Sequence, residues 1–171
     1  WALRDATCSL LANSLARGDD RFAARLVRTS LGIGLGLGVV VAILLRVHAT
    51  ALLGIMGLAR TSPMFAPASV YLRTRALAFP TVVLLTVAEG AFRGSGDTRS
   101  PVLAGLVAGA ANVILDPFLM FRRGMGMRGA AAATAIAQVC ACAFALYRLL
   151  PRTQLADADA DAVAAAGAGA G

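Results

Sequence analysis

The stretch "AANVILDPFLMF" (residues 110–121) decides how this chain is read. It lies inside a long apolar run, yet it carries an amide at Asn112, a carboxylate at Asp116 and a proline at Pro117. A helix turns by about 100° per residue, so Gly105, Gly109, Asn112 and Asp116 share one narrow stripe. A carboxylate within a membrane segment costs roughly 2.5–3.5 kcal/mol on insertion scales and ordinarily marks an ion or proton path. The stripe is therefore expected to face protein rather than lipid. Pro117 has no N–H, which frees the carbonyl of Val113. A carboxylate, an amide oxygen and that carbonyl would be hard donors for Na⁺ or a shared proton. The competing reading makes Asp116 a headgroup anchor near the end of the span. The deeper position of Asn112 argues against it.

The surroundings explain why these polar groups stand out. The chain has 171 residues, 58% of them hydrophobic and 15% charged, with mean hydropathy +0.75. Soluble domains are roughly 45–50% apolar, so an all-α, polytopic membrane helical bundle is expected. Every basic residue is Arg, and the formal net charge is +7. The arginines sit at the ends of apolar runs and form no patch with aromatics. That is membrane-flanking charge and excludes a nucleic-acid partner. Cys8, Cys140 and Cys142 show no metal-ligand or disulfide spacing and read as small packing residues.

Outward from the opening stretch, four membrane helices are expected, preceded by the end of another. Residues 1–16 read as that helix end, with Gly18 as C-cap and Asp19 as the next N-cap. Residues 31–45 form an uncharged run that needs few flanking residues to span. Its glycines 32, 34, 36 and 38 are read as small packing positions on a membrane helix. Residues 51–58 are too short to span and read as a linking helix, with His48 at the interface. The second span covers about residues 70–92, kinked at Pro80, with Glu89 and Arg93 able to pair near its end. The third span covers residues 101–121. The fourth covers about 130–150, where Ala130, Thr134, Gln138 and Ala141 or Cys142 share a face. Thr134 and Gln138 read either as interhelical hydrogen-bonding residues or as part of a site. Three parts follow: residues 1–28, a helix end and basic loop; 29–150, four helices; and 151–171, a low-complexity Ala/Asp/Gly tail that cannot build a core. The start at Trp1 and this tail read as a fragment or partial gene product.

"YLRTRALAFP", "EGAFRGSGDTRSP", "NVILDPFLMF" and "GMGMRGAAAATAIAQ" occur in this order. Together they resemble the first-half signature of the multidrug and toxic compound extrusion (MATE) transporters, and in particular plant and algal members that include organic-acid exporters and plastid-envelope proteins. The resemblance runs from about residue 12 to 150. It implies a twelve-helix, two-lobe transporter, of which this chain is the end of helix 2 and helices 3 to 6 of the N-terminal lobe. The first helix and the second lobe would lie outside it. It also implies a cation network in which the fifth-helix Asn and Asp fall on Asn112 and Asp116 and a sixth-helix Thr on Thr134. Gln138 and Glu89 are auxiliary candidates, Glu89 standing where the family pattern has Gln. The implied activity is antiport of a small organic solute (an organic acid, a phenolic or a drug-like cation) against H⁺ or Na⁺, with no other cofactor, in membrane lipid. Plastid envelope, vacuolar and plasma membranes all remain open.

Other readings stand beside this one: a non-transporting remnant or assembly partner, a flippase for lipid-linked sugars, and an intramembrane aspartyl protease. The protease reading rests on "GSGD" (residues 94–97). It needs a second, facing aspartate, and Asp97 sits in a turn between Arg93 and Arg99 with no such partner.

The four-span reading places the turn at Asp19, the turn at Gly94–Ser100 and the segment after Pro151 on one side. Nine arginines lie there (4, 17, 21, 25, 28, 93, 99, 148, 152) and seven opposite, a weak positive-inside bias. After replacement of the native cysteines, single cysteines at Asp19 and Ser95 are expected to react with an impermeant maleimide from the same side. Labelling from opposite sides would reject the topology.

Overall fold

The computed structural model describes residues 2–168, with side chains through Pro151. Seven α-helices occur among the described residues: α1 (Ala2–Ala16), α2 (Asp20–Val47), α3 (Ala49–Ile55), α4 (Phe65–Leu77), α5 (Phe79–Gly94), α6 (Arg99–Pro117) and α7 (Met127–Ala168). A single π-helical turn (Phe118–Arg122) extends α6. Among the described residues, three stretches are long and apolar enough to cross a membrane: Asp20–Val47, Arg99–Arg122 and Met127–Pro151. The pair α4 and α5, bent by 49°, makes a fourth if it is one broken span. The fold is the expected all-helical membrane bundle.

Local chemistry explains the boundaries. Gly18 adopts φ +71°, a left-handed conformation that suits glycine and ends α1. Asp19 then caps α2, its Oδ1 accepting from the Phe22 N–H at 3.0 Å. The basic stretch after Asp19, expected as a lead-in, belongs to α2 itself. Pro80 stands in the first turn of α5. Because it offers no N–H, the chain breaks at Ala78, whose own N–H turns back to the carbonyls of Ala76 and Arg75. The expected kink is thus a full break. The linking helix is shorter and earlier than expected, at Ala49–Ile55. His48 ends α2, with Nδ1 3.2 Å from the Leu44 carbonyl. The fourth helix was expected to stop at Leu150, but α7 carries Pro151 inside it and runs on. Alanine is the strongest helix former, and the run after Pro151 is rich in it.

Glycine and alanine set how closely the helices pack. A Cβ at Gly38 would come 2.7 Å from the Pro80 Cα, and one at Gly34 would come 3.0 Å from Val87. That contact lays α2 antiparallel along α5. A Cβ at Gly90 would meet the Arg4 carbonyl oxygen at 2.6 Å, and one at Gly94 the Cys8 carbonyl oxygen at 2.8 Å. Those contacts lay α1 parallel to α5. Gly32 and Gly36 meet nothing, so only alternate members of the glycine run pack, at helical rather than strand spacing. Helix α7 packs against α2, α4, α5 and α6. It presents Ala133, Ala137, Ala141 and Ala145, all essentially inaccessible, as one stripe. The core gathers Leu11, Val27, Leu31, Val87, Phe92, Ala145 and Leu149. Outward, Ile33, Val40, Ile43, Val47, Ile114 and Tyr147 form the exposed apolar surface that lipid requires.

Gly38→Val and Gly90→Val are expected to destabilise the bundle by about 1–3 kcal/mol through overpacking. Gly36→Val, which meets nothing, is expected to be near neutral. Detergent thermal-unfolding midpoints check the contrast. Equal effects at all three positions would refute this packing scheme.

Candidate functional site

Helices α6 and α7 are joined by a short connection and run antiparallel. A Cβ at Gly129 would lie 2.7 Å from the Leu119 carbonyl oxygen, so these residues stand at one level. With a rise of about 1.5 Å per residue, Asp116 lies about 4.5 Å from that level, Thr134 about 7.5 Å, Asn112 about 10.5 Å and Gln138 about 13.5 Å. The four side chains therefore occupy successive heights along one helix pair.

Three of them share an unusual property. Among the described residues, the buried side-chain oxygens with no hydrogen-bond partner are Asn112 Oδ1, Asp116 Oδ1 and Gln138 Oε1. Each such orphan costs about 1–3 kcal/mol, and more for a charged group. Thr134 differs, because its hydroxyl donates to the Ala130 carbonyl at 2.9 Å. That leaves lone pairs on its oxygen but no proton to offer a neighbour. Asn112, Asp116 and Gln138 thus each carry an acceptor oxygen left without a donor. Asn112 and Asp116 supply hard oxygens, which fit H⁺ or Na⁺ and suit no soft metal.

Two expectations need correction. Gly105 and Gly109 do not face a helix among the described residues, since a Cβ at either would meet nothing within 4 Å. The face of α6 packed on its neighbours runs through Ala104, Ala108, Ala111 and Leu115. The Gly/Asn/Asp stripe lies further round the helix, so Asn112 and Asp116 sit at the edge of the packed face and the glycines outside it. Only 6% of the most apolar part of this span is buried, against 39% for α7. The Val113 carbonyl also lies elsewhere. Val113 is 75% exposed, about 100° round the helix from Asn112, and Pro117 is exposed too. The freed carbonyl belongs to the outer face. The backbone answers Pro117 with a Phe118 N–H bonded to the Leu115 carbonyl. The π turn follows, closed by Arg123 N–H donating to Phe118 at 3.1 Å. No periodicity signalled that turn. Its one signal is the proline just before it.

Glu89 does not join this group. It is half-buried and lines a separate cavity of about 500 Å³ between α1, α2 and α5, with Leu3, Arg4, Leu37, Phe79 and Thr86 among the walls. The expected ion pair with Arg93 is absent: Glu89 turns into the cavity while Arg93 stays exposed. Asp97 is spent on structure. Its Oδ1 accepts from the N–H groups of Arg99 and Ser100, both at 3.0 Å, and its Oδ2 accepts from the Ser100 hydroxyl at 2.7 Å. These bonds cap the start of α6.

The MatE family model matches residues 1–118. The chain belongs to that family. It is 44% identical over 92 residues to Protein DETOXIFICATION 43 of Arabidopsis thaliana, covering 54% of this chain and 18% of that protein. It is 40% identical over 107 residues to Protein DETOXIFICATION 44, chloroplastic, of the same plant, covering 63% and 20%. Among solved structures it is similar to the inward-facing conformation of a multidrug resistance MATE family transporter of the MOP superfamily. The TM-score is 0.80 at 29% identity, over 86% of this chain and 33% of that one. The outward-facing conformation matches equally, at TM-score 0.80. This chain thus spans about a fifth of the length of the plant relatives it matches. A family of transporters excludes the aspartyl protease reading, as does an Asp97 committed to helix capping. The chain is an integral, multi-pass membrane segment.

Asp97→Ala removes three accepted hydrogen bonds at the start of α6 and is expected to cost about 1–2 kcal/mol. Asp97→Asn, which keeps one acceptor oxygen, is expected to lose less. Thermal unfolding of the two variants in detergent checks this. A catalytic role would instead leave stability unchanged in both.

Proposed function

We propose that residues 1–171 form part of the N-terminal lobe of a secondary efflux transporter that exports a small organic solute in exchange for H⁺ or Na⁺. The observation that carries the reading is the set of buried, unpaired oxygens at Asn112 and Asp116 in a span of a transporter-family chain. Unpaired acceptors in lipid are costly, and a bound cation removes the cost. Asp116 holds the ion or the proton, Asn112 adds a neutral oxygen one turn away, and Thr134 contributes lone pairs from α7. The likeness to both inward- and outward-facing structures supports coupling to alternating access, in which two lobes move about a site between them. The solute class is an organic acid, a phenolic or a drug-like cation, taken through a cavity completed by chain outside these residues.

Whether the cation bends α6 depends on Pro117. The helix already lacks one hydrogen bond there and widens into a π turn. Loading Asp116 one residue before that weak point alters the field at the least constrained part of the span.

In proteoliposomes holding the full-length protein that carries this segment, Asp116→Asn is expected to abolish gradient-driven export at unchanged expression. Asn112→Ala and Thr134→Ala are expected to weaken the cation dependence by about 1 kcal/mol each, roughly fivefold. Export by Asp116→Asn at the unmutated rate, with the same pH and Na⁺ dependence, would make the carboxylate a headgroup anchor and end the coupling reading.

A further inference from the structure

We propose that the groove between α1 and α2 at their turn seats the headgroup of an anionic phospholipid, its phosphate held by Arg17, Asn13 and Arg25. The proposal stands apart from the efflux reading, because none of these residues belongs to the cation site.

The groove is a cavity of about 340 Å³ lined by Leu10, Asn13, Ser14, Arg17, Asp19 and Phe22. Its polarity is ordered along its length. Arg17, Asn13 and Leu10 follow one another at helical spacing. The turn end therefore offers a guanidinium and a carboxamide. The inner end offers Leu10, 50% exposed, and Phe22 on α2, 51% exposed. Ser14 lends no proton, since its hydroxyl donates to the Leu10 carbonyl at 2.9 Å. Asp19 is engaged in capping α2. Arg25 stands on the exposed face of α2, three residues beyond Phe22. Arg17 and Arg25 make no ion pair among the described residues. From Arg17 to Arg28 the chain carries four arginines against two aspartates, so the local field favours an anion.

The heights point to a lipid. A Cβ at Gly94 would lie 2.8 Å from the Cys8 carbonyl oxygen, so Cys8 is level with the end of α5, where a polar turn begins. At about 1.5 Å per residue, α1 then carries Leu10 about 3 Å, Asn13 about 7.5 Å and Arg17 about 13 Å beyond that level. Gly34 lies against Val87, so counting along both helices sets Val27 level with Gly94. Arg25 then stands about 3 Å and Phe22 about 7.5 Å beyond it. The headgroup layer is roughly 5–8 Å deep on each side of the hydrocarbon. The groove crosses that layer, with its apolar end toward the acyl chains and Arg17 at its aqueous mouth. A phospholipid presents the same order of chain, phosphate and outer headgroup. Arg17 and Arg25 bracket the phosphate level from outside and inside, and the guanidinium fork matches phosphate oxygens. A dissolved anion would use Arg17 alone and leave Leu10 and Phe22 in water.

The full-length protein that carries this segment tests the proposal, with bound lipid counted by native mass spectrometry across a titration in detergent. The probes are dioleoylphosphatidylglycerol, which is anionic, dioleoylphosphatidylcholine, which has the same chains and no net charge, and inorganic phosphate as a competitor. Arg17→Gln is expected to weaken phosphatidylglycerol binding roughly fivefold, from about 1 kcal/mol per arginine near a membrane surface. The double variant with Arg25→Gln is expected to lose roughly twentyfold. Arg17→Lys, which keeps the charge, is expected to stay within about threefold. Arg93→Gln removes the same charge from an exposed position at the end of α5, outside the groove, and is expected to change binding by less than about twofold. Equal losses from Arg17→Gln and Arg93→Gln would show diffuse attraction to the surface and overturn the proposal. Phosphatidylcholine bound as tightly as phosphatidylglycerol would overturn it as well. Displacement of the lipid by inorganic phosphate at equal concentration would make the occupant a dissolved anion and reject the lipid. An unmutated protein that binds no phosphatidylglycerol saturably would do the same.

Discussion

Close approach of one helix backbone to another is the constraint on which this structure depends. In lipid the hydrophobic effect does not drive helices together, because the surroundings are as apolar as the side chains. Attraction comes from dispersion and weak polar contact, both of which fall steeply with distance. Gly38 against Pro80, Gly90 against Arg4, Gly94 against Cys8 and Gly129 against Leu119 are contacts that no side chain would permit. The alanine stripe of α7 carries the same logic into the middle of the bundle. Many large apolar residues, Ile33, Val40, Ile43 and Ile114 among them, are turned outward, unlike those of a soluble domain.

Close packing has a consequence for the polar groups. Where helices meet through glycine and alanine there are few side chains left to satisfy a buried oxygen. The oxygens of Asn112, Asp116 and Gln138 are therefore stranded by the same device that holds α6 and α7 together. Serine and threonine avoid the problem by turning back on their own helix, as Thr7, Thr74, Thr86 and Thr134 do. A side-chain oxygen that must accept cannot close that loop in mid-helix, because the backbone N–H groups there are already bonded within the helix. This difference separates polar residues bonded back to their own helix from those left with an unpaired oxygen.

Much of the plan was legible because it rests on local chemistry. Pro80, Gly18 and Asp19 each determine a boundary through one missing or one supplied hydrogen bond, and the structure follows them. The polar stripe was legible because a carboxylate has no cheap place in an apolar run. Less legible were features set by competition between neighbours. Glu89 and Arg93 have the spacing to pair, yet a cavity beside α1 takes the acid. Pro151 looked like a stop, yet the helix continues through it, since one lost hydrogen bond does not outweigh the alanines that follow.

The sequence by itself determined the helical membrane character, the order of the spans, a bend at Pro80 and the identity of the polar residues. Each follows from hydropathy, from a period of 3.6 or from the donor inventory of one residue. Only the tertiary structure decided which way the polar stripe turns. Gly105, Gly109, Asn112 and Asp116 share one line along α6, but α7 packs on the adjacent line through Ala104 and Leu115. The glycines are therefore left outside and the two oxygens at the edge. Azimuth between helices depends on the shapes of both partners, and a periodicity read along one helix carries no information about the other.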